Sequence, residues 1–141
     1  QVKSAFSDIA KEGKKMGLTY NFDILQIANS HNAHLLVQYA KDLGKGSEIE
    51  EALFKAYFTE GIHLGNIEQV VKVGKSIGLD ENYTREAMNS VKYSIGIEKD
   101  LKRAKEFNVN SVPFFLFNSE KVMVGAQPEE AFLETLRSFN Y

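Results

Sequence analysis

The 141-residue chain contains no cysteine and no tryptophan, and only two prolines, Pro113 and Pro128. Without a thiol, disulfides, thiolate metal sites and cysteine nucleophiles are excluded within these residues. No apolar run reaches the roughly 18 residues of a membrane-crossing helix, and no signal-peptide pattern opens the sequence, so a cytoplasmic setting is expected. An excess of charge is lacking too. The 17 basic and 19 acidic residues leave a formal charge of -2, which gives no electrostatic basis for binding nucleic acid or an acidic membrane surface. Neither GxGxxG nor GxxxxGK[ST] occurs, so Gly61 and Gly65 read as helix punctuation and not as a phosphate loop. What is present is 43% hydrophobic and 26% charged, the balance of an ordinary globular chain long enough for one domain or slightly more.

Most of the sequence carries helical periodicity. Val2, Phe6, Ile9 and Met16 share one face of a first helix that Gly17 ends. Residues 18–22 alternate and are expected to be a short extended segment. Asn29 or Ser30 caps a second helix through Leu35, Leu36, Tyr39, Ala40 and Leu43, stopped at Gly44. Ser47 with Glu50 predicts a capping box for a third helix, closed by Gly61, with Asn66 and Gln69 doing the same for a fourth. Gly78-Leu79 reads as a Schellman-type stop and Asp80 as the cap of a short fifth helix. A longer helix from about Lys92 to Phe107 is expected to turn Ile97, Leu101, Ala104 and Phe107 inward. Its charges, from Glu98 to Glu106, read as a solvated face with i,i+4 pairs.

Phe114-Phe-Leu-Phe117 follows Pro113 directly and is long enough only for a strand, expected over 113–117 and buried on both faces. Polar Asn118-Ser-Glu-Lys121 turns the chain into Val122-Met-Val124, so an antiparallel hairpin is predicted. Pro128 then opens a last helix at its first position, with Glu129 and Glu130 in the first turn and Phe132, Leu133, Leu136 and Phe139 on its core side. A lone hairpin is marginal in water, and the weak segment 18–22 is the only further strand candidate. Either helices cover the second edge of 113–117 or its neighbouring strand belongs to a longer protein. The start at Gln1, inside a helical pattern and without methionine, fits the second alternative. An open edge also invites a homodimer through strand pairing.

Candidate sites are few. His31 and His34 stand three apart near a helix start, but no carboxylate or cysteine joins them at ligand spacing. Capping and packing are the expected roles, and no metal is expected. His63 is expected in a solvent-facing loop. Phe54, Tyr57 and Phe58 fall at helical spacing and read as core, with some rings available to line a groove over Pro113.

Ser111-Val-Pro-Phe-Phe-Leu-Phe-Asn118 followed by Val124-Gly-Ala-Gln-Pro128 resembles the DsbA-like thioredoxin-fold oxidoreductases, in particular the FrnE-type branch. Asn29-Ser-His-Asn-Ala-His34 and Leu53-Phe-Lys-Ala-Tyr-Phe-Thr-Glu-Gly61 are similar to the same branch, so the resemblance covers nearly the whole chain. It implies an α/β class, mostly helical, with a partial thioredoxin fold. Residues 1–22 would lead into a helical insertion domain over 23–107, and 108–141 would be the closing strand-strand-helix unit. The family's opening strand-helix-strand unit, with its redox Cys-x-x-Cys, has no counterpart in these residues. By themselves they therefore cannot carry out the family's chemistry, thiolate attack on a disulfide. The resemblance implies a cis Val112–Pro113 bond, although only about 5–6% of X-Pro bonds are cis in folded proteins. It further implies substrate binding by Ser111, Val112 and Pro113, with His34, Phe54 and Gln127 as possible site-lining residues. The partner would be a thiol- or disulfide-bearing protein or peptide, with no cofactor, nucleic acid or membrane.

Two other readings compete. One is a glutathione-dependent kappa-type transferase or isomerase, whose members show a Gly-Ser-Asp-like turn where this chain has Gly125-Ala126-Gln127. The other is a non-catalytic helical interaction module.

Overall fold

The computed structural model describes the backbone of residues 2–139 and the side chains of residues 6–139. The side chain of Val2, expected on the apolar face of the first helix, lies outside the described residues. Seven helices and two strands follow one another among the described residues: α1 (Val2–Lys15), α2 (His31–Asp42), α3 (Gly46–Phe58), α4 (Ile67–Ser76), α5 (Glu81–Met88), α6 (Val91–Glu106), β1 (Phe114–Phe117), β2 (Lys121–Val124) and α7 (Glu129–Arg137). The chain divides into two compact units, residues 1–98 and residues 99–141, so the division falls inside α6.

The first unit holds the core. Helix α2 packs on α3, α4 and α5, and α4 packs on α3 and α5. Leu36, Ile49 and Val70 are completely buried, and Tyr93 and Ile97 at the start of α6 pack against that cluster. Full burial of each such aliphatic side chain stabilises by about 1.5–3 kcal/mol, which is what fixes the helices to one another. Local chemistry sets the helix ends. Gly78, at φ +81°, donates its N–H to the Lys75 carbonyl while Leu79 donates to Gly74, a Schellman stop at the expected place. One carboxylate oxygen of Asp80 accepts the N–H groups of both Asn82 and Tyr83 at the start of α5. The fully buried Thr84 hydroxyl donates to the Asp80 carbonyl at 2.6 Å.

Several expectations for this unit need correction. The Ser47–Glu50 capping box does not form. Helix α3 begins a residue earlier, at Gly46, with Lys45 in the cap position and no side-chain cap. The Lys45 amine instead reaches the Ile77 carbonyl at 2.7 Å. The Asn66–Gln69 box is half formed, since Asn66 accepts the Gln69 N–H while the Gln69 side chain accepts the His63 N–H. His63 is half-buried and not solvent-facing. Residues 18–22 form no strand. The Asn21 N–H donates to the Phe58 carbonyl, and Tyr20 and Phe22 stack nearly parallel, 2° apart, with Phe6 stacked on Phe22 at 4.5 Å. The alternation in this segment therefore reflects rings set on one side of an extended chain and not a sheet ladder.

In the second unit, α6 ends on Asn108 at φ 54°, whose N–H donates to Lys105 while Val109 donates to Ala104. Asparagine thus supplies the left-handed turn that glycine usually supplies. Strands β1 and β2 pair antiparallel with Phe114 opposite Val124 and Phe117 opposite Lys121. Asn118 and Ser119 both take positive φ, and Glu120 donates back to the Phe117 carbonyl, the pattern of a type I′ reversal. On one face of the hairpin Phe115 and Phe117 meet Phe132 of α7, at ring-centroid distances of 4.8 and 6.3 Å. The strand is not buried on both faces, because all four residues of β1 are only half-buried. Nor is Pro113 part of it. Leu101 of α6 and Leu136 of α7 are exposed, contrary to the inward positions their periodicity predicts. Pro128 occupies the cap position of α7, one residue before its first turn. Among the described residues no strand pairs with the far edge of β1.

Candidate functional site

The left-handed turn at Asn108 releases the chain into an irregular loop that ends at the first residue of β1. Within it the Asn110 side-chain amide donates to the Asn108 carbonyl at 3.0 Å. The Val112–Pro113 peptide bond is cis. The Pro113 carbonyl accepts the Gly125 N–H at 2.8 Å, one step beyond the last residue of β2. Gly125 has φ +81°, a conformation that a side chain would strain. The Gln127 side-chain amide folds back to donate to the Val124 carbonyl at 3.0 Å.

Four of the residues singled out in the sequence therefore meet at one end of the hairpin: Ser111, Val112, Pro113 and Gln127. Val112 is 84% exposed, and among the described residues neither its N–H nor its carbonyl has an intramolecular partner. An exposed residue with both backbone groups unspent can pair with an extended chain as an added strand does. The loop 109–113 carries no His, Lys, Asp, Glu or Cys side chain. Its neighbours are a serine hydroxyl, an amide and apolar side chains.

His34 and Phe54 belong to the first unit. His34 is exposed on α2, as is His31 one turn before it. Phe54, expected in the core, is 60% exposed, its ring 6.3 Å from that of Phe58. It falls on the outer side of α3, while Ile49, Leu53 and Ala56 take the inner one. Among the described residues no group of three or more His, Cys, Asp or Glu side chains could hold a metal ion. A groove of about 340 Å³ runs between α3 and α4, floored by Ala52, Ala56, Ile62 and Val73 and rimmed by Lys55 and Lys72. It brings together no catalytic constellation.

The shifted carboxyls belong to the first unit. A hydrogen bond from Arg85 holds the Glu68 carboxyl below the usual carboxylate range, and one from Lys75 does the same for Glu81. Arg85 joins both carboxylates, at 2.8 Å to Glu68 and 3.3 Å to Glu81. These exposed pairs tie α4 to α5. They resemble structural links more than a reaction centre.

Two features of the site escaped the reading of the sequence. Asn108 carried a usable signal, since asparagine is enriched at positive φ. The tether from Gly125 to Pro113 carried none, because it joins residues distant in the chain.

The profile of the DSBA-like thioredoxin domain matches residues 1–137. The uncharacterized protein YwbO of Bacillus subtilis (strain 168) is 27% identical over 128 residues, which cover 89% of this chain and 64% of that protein. A crystal structure of a probable DsbA oxidoreductase from Streptomyces coelicolor superposes with a TM-score of 0.86 at 22% identity, over 96% of this chain and 58% of that one. The chain thus spans less than two thirds of the length of either protein. By its sequence profile, with a fold to match, it belongs to the DSBA-like thioredoxin domain family.

Proposed function

We propose that these residues are the helical domain and the substrate-facing loop of a thiol–disulfide oxidoreductase of the FrnE-type branch. In this reading a preceding strand-helix-strand unit supplies the Cys-x-x-Cys. The observation that carries it is Val112, exposed, with both backbone groups unpaired among the described residues. A disulfide-bearing polypeptide would lie extended along Ser111 and Val112 and exchange backbone hydrogen bonds with Val112, which holds the substrate sulfur in register without reading sequence. The thiolate of the first cysteine would attack one substrate sulfur. The new S–S bond forms as the old one breaks, and the departing sulfur leaves as a thiolate that takes a proton from water. The second cysteine would then attack the mixed disulfide and release the substrate's other thiol, leaving the enzyme oxidised. The far edge of β1, which pairs with no strand among the described residues, is where a strand of the preceding unit would add. A second copy pairing there is the alternative, and sedimentation of the whole protein separates the two.

The test is a titration of the isotopically labelled chain with a short unstructured peptide carrying a central S-methylcysteine. The amides of Ser111 and Val112 are expected to shift in a saturable way. Shifts confined to residues outside 110–113, or none, would remove the proposal.

A further inference from the structure

The hairpin register sets up an asymmetry at its proline end. Pro113 and Gly125 face each other as a hydrogen-bonded pair, yet proline has no N–H to return, so a single bond from Gly125 to the Pro113 carbonyl closes that end. The next pair, Phe114 and Val124, is then of the non-bonded kind, and the Val124 carbonyl points to the outer edge of β2. That carbonyl is the one the Gln127 amide takes at 3.0 Å. The side chain thereby closes the turn 124–127 around Gly125 and, by holding the Val124 carbonyl, fixes the peptide plane that carries the Gly125 N–H bonded to Pro113. An added Cβ at Gly125 would lie 3.8 Å from Gln127 Nε2, so the amide sits in ordinary contact over the turn.

We infer that Gln127 is a positioning residue for substrate pairing, acting through Gly125 and Pro113 on the backbone of Val112. The inference rests on the reading of Val112 given above. With only one bond holding the Pro113 end, the direction of the Gly125 N–H decides where Val112 presents its own N–H and carbonyl. Gln127 fixes that direction without touching the bound chain.

The Gln127→Glu variant keeps the shape, and at neutral pH it has no donor. Its carboxyl regains one on protonation, below roughly pH 4. Amide exchange at Gly125 is expected to be about five- to tenfold faster in Gln127→Glu at pH 7, the loss of one ordinary hydrogen bond. Protection at Phe115 and Met123 should be unchanged. Affinity for the S-methylcysteine peptide, read at the Val112 amide, should fall at least threefold. Near pH 3.5 the protection at Gly125 should return to that of the wild type measured at the same pH. Unchanged protection at Gly125, an equal loss at Phe115 and Met123, or protection lost without any loss of affinity would each overturn the inference. A wild-type chain that binds no peptide refutes the reading of Val112, and the exchange measurements still decide whether Gln127 holds the turn.

Discussion

Gly125→Ala puts a number on how much the site depends on one backbone conformation. The residue takes φ +81°, and an added Cβ would meet nothing closer than Gln127 Nε2 at 3.8 Å. Steric conflict with neighbours is therefore absent, and the cost is that of holding an L-residue in the left-handed region, roughly 1–2 kcal/mol. If the chain escapes by moving φ, the Gly125 N–H leaves the Pro113 carbonyl and a bond of net worth about 0.5–1.5 kcal/mol is lost instead. The first route raises local opening of the hairpin end about five- to thirtyfold and the second about two- to thirteenfold, so an increase of at least about twofold is expected. Hydrogen exchange at residue 125 should accelerate by at least that factor. Unfolding of residues 1–98, followed by the fluorescence of Tyr20, Tyr39, Tyr57, Tyr83 and Tyr93, should not move. Gly44→Ala is the internal control. It has φ +72° with nothing within 4 Å of the added Cβ, and it carries the same intrinsic cost in the first unit. It should shift the tyrosine transition and leave residue 125 alone. A Gly125→Ala chain with unaltered exchange at that residue would refute the argument that the positive φ holds the tether.

Two further perturbations bear on the helical unit. Leu36→Ala removes a side chain that is fully buried and packed so closely that a Cβ on Gly74 would lie 3.3 Å from its Cδ1. Little collapse into the cavity is possible, so a loss of about 3–4 kcal/mol is expected in urea unfolding, and a loss below ~1.5 kcal/mol would contradict the packing described. The ion pairs of Arg85 and Lys75 with Glu68 and Glu81 give the unit an acid dependence. Both carboxyls titrate lower in the folded chain than in the unfolded one, so their contribution is complete above the unfolded value. It is lost as pH falls through the depressed folded values. The melting temperature should therefore fall on acidification, and less steeply in Arg85→Met or at high salt. A variant that kept the full wild-type slope would show that other groups cause it.

Much of the helical unit was legible because its signals are local. Asp80 caps α5 and Gly78 ends α4 through contacts within a few residues, which any fold would preserve. The hairpin was legible for the same reason, since its polar turn sits between two apolar runs. Burial was less so. Four consecutive apolar residues make Phe114–Phe117 read as a strand enclosed on both faces, yet they are half-buried, and what covers a strand is set by elements remote in sequence. Phe54 misled in the same way, because helical spacing places a ring on a face without saying whether anything packs there. The Ser47 box failed because α3 begins at Gly46, which places the serine inside the first turn and Lys45, with no side-chain acceptor, at the cap. In the candidate site, Ser111, Val112, Pro113 and Gln127 were singled out through a family resemblance. The bond from Gly125 to Pro113 that gathers them at one end of the hairpin needed coordinates.

We propose that Val112 and Pro113 form the substrate wall of a disulfide-exchanging enzyme whose cysteines lie outside these residues. The most direct measurement is thiol–disulfide exchange with an unfolded disulfide-bearing protein, for this chain and for the protein translated from its natural start. No exchange is expected from the cysteine-free chain. Exchange by the whole protein is expected to depend on a Cys-x-x-Cys ahead of Gln1 and to weaken on Gly125→Ala. A whole protein without that motif, or one whose exchange is indifferent to Gly125→Ala, would contradict the proposal.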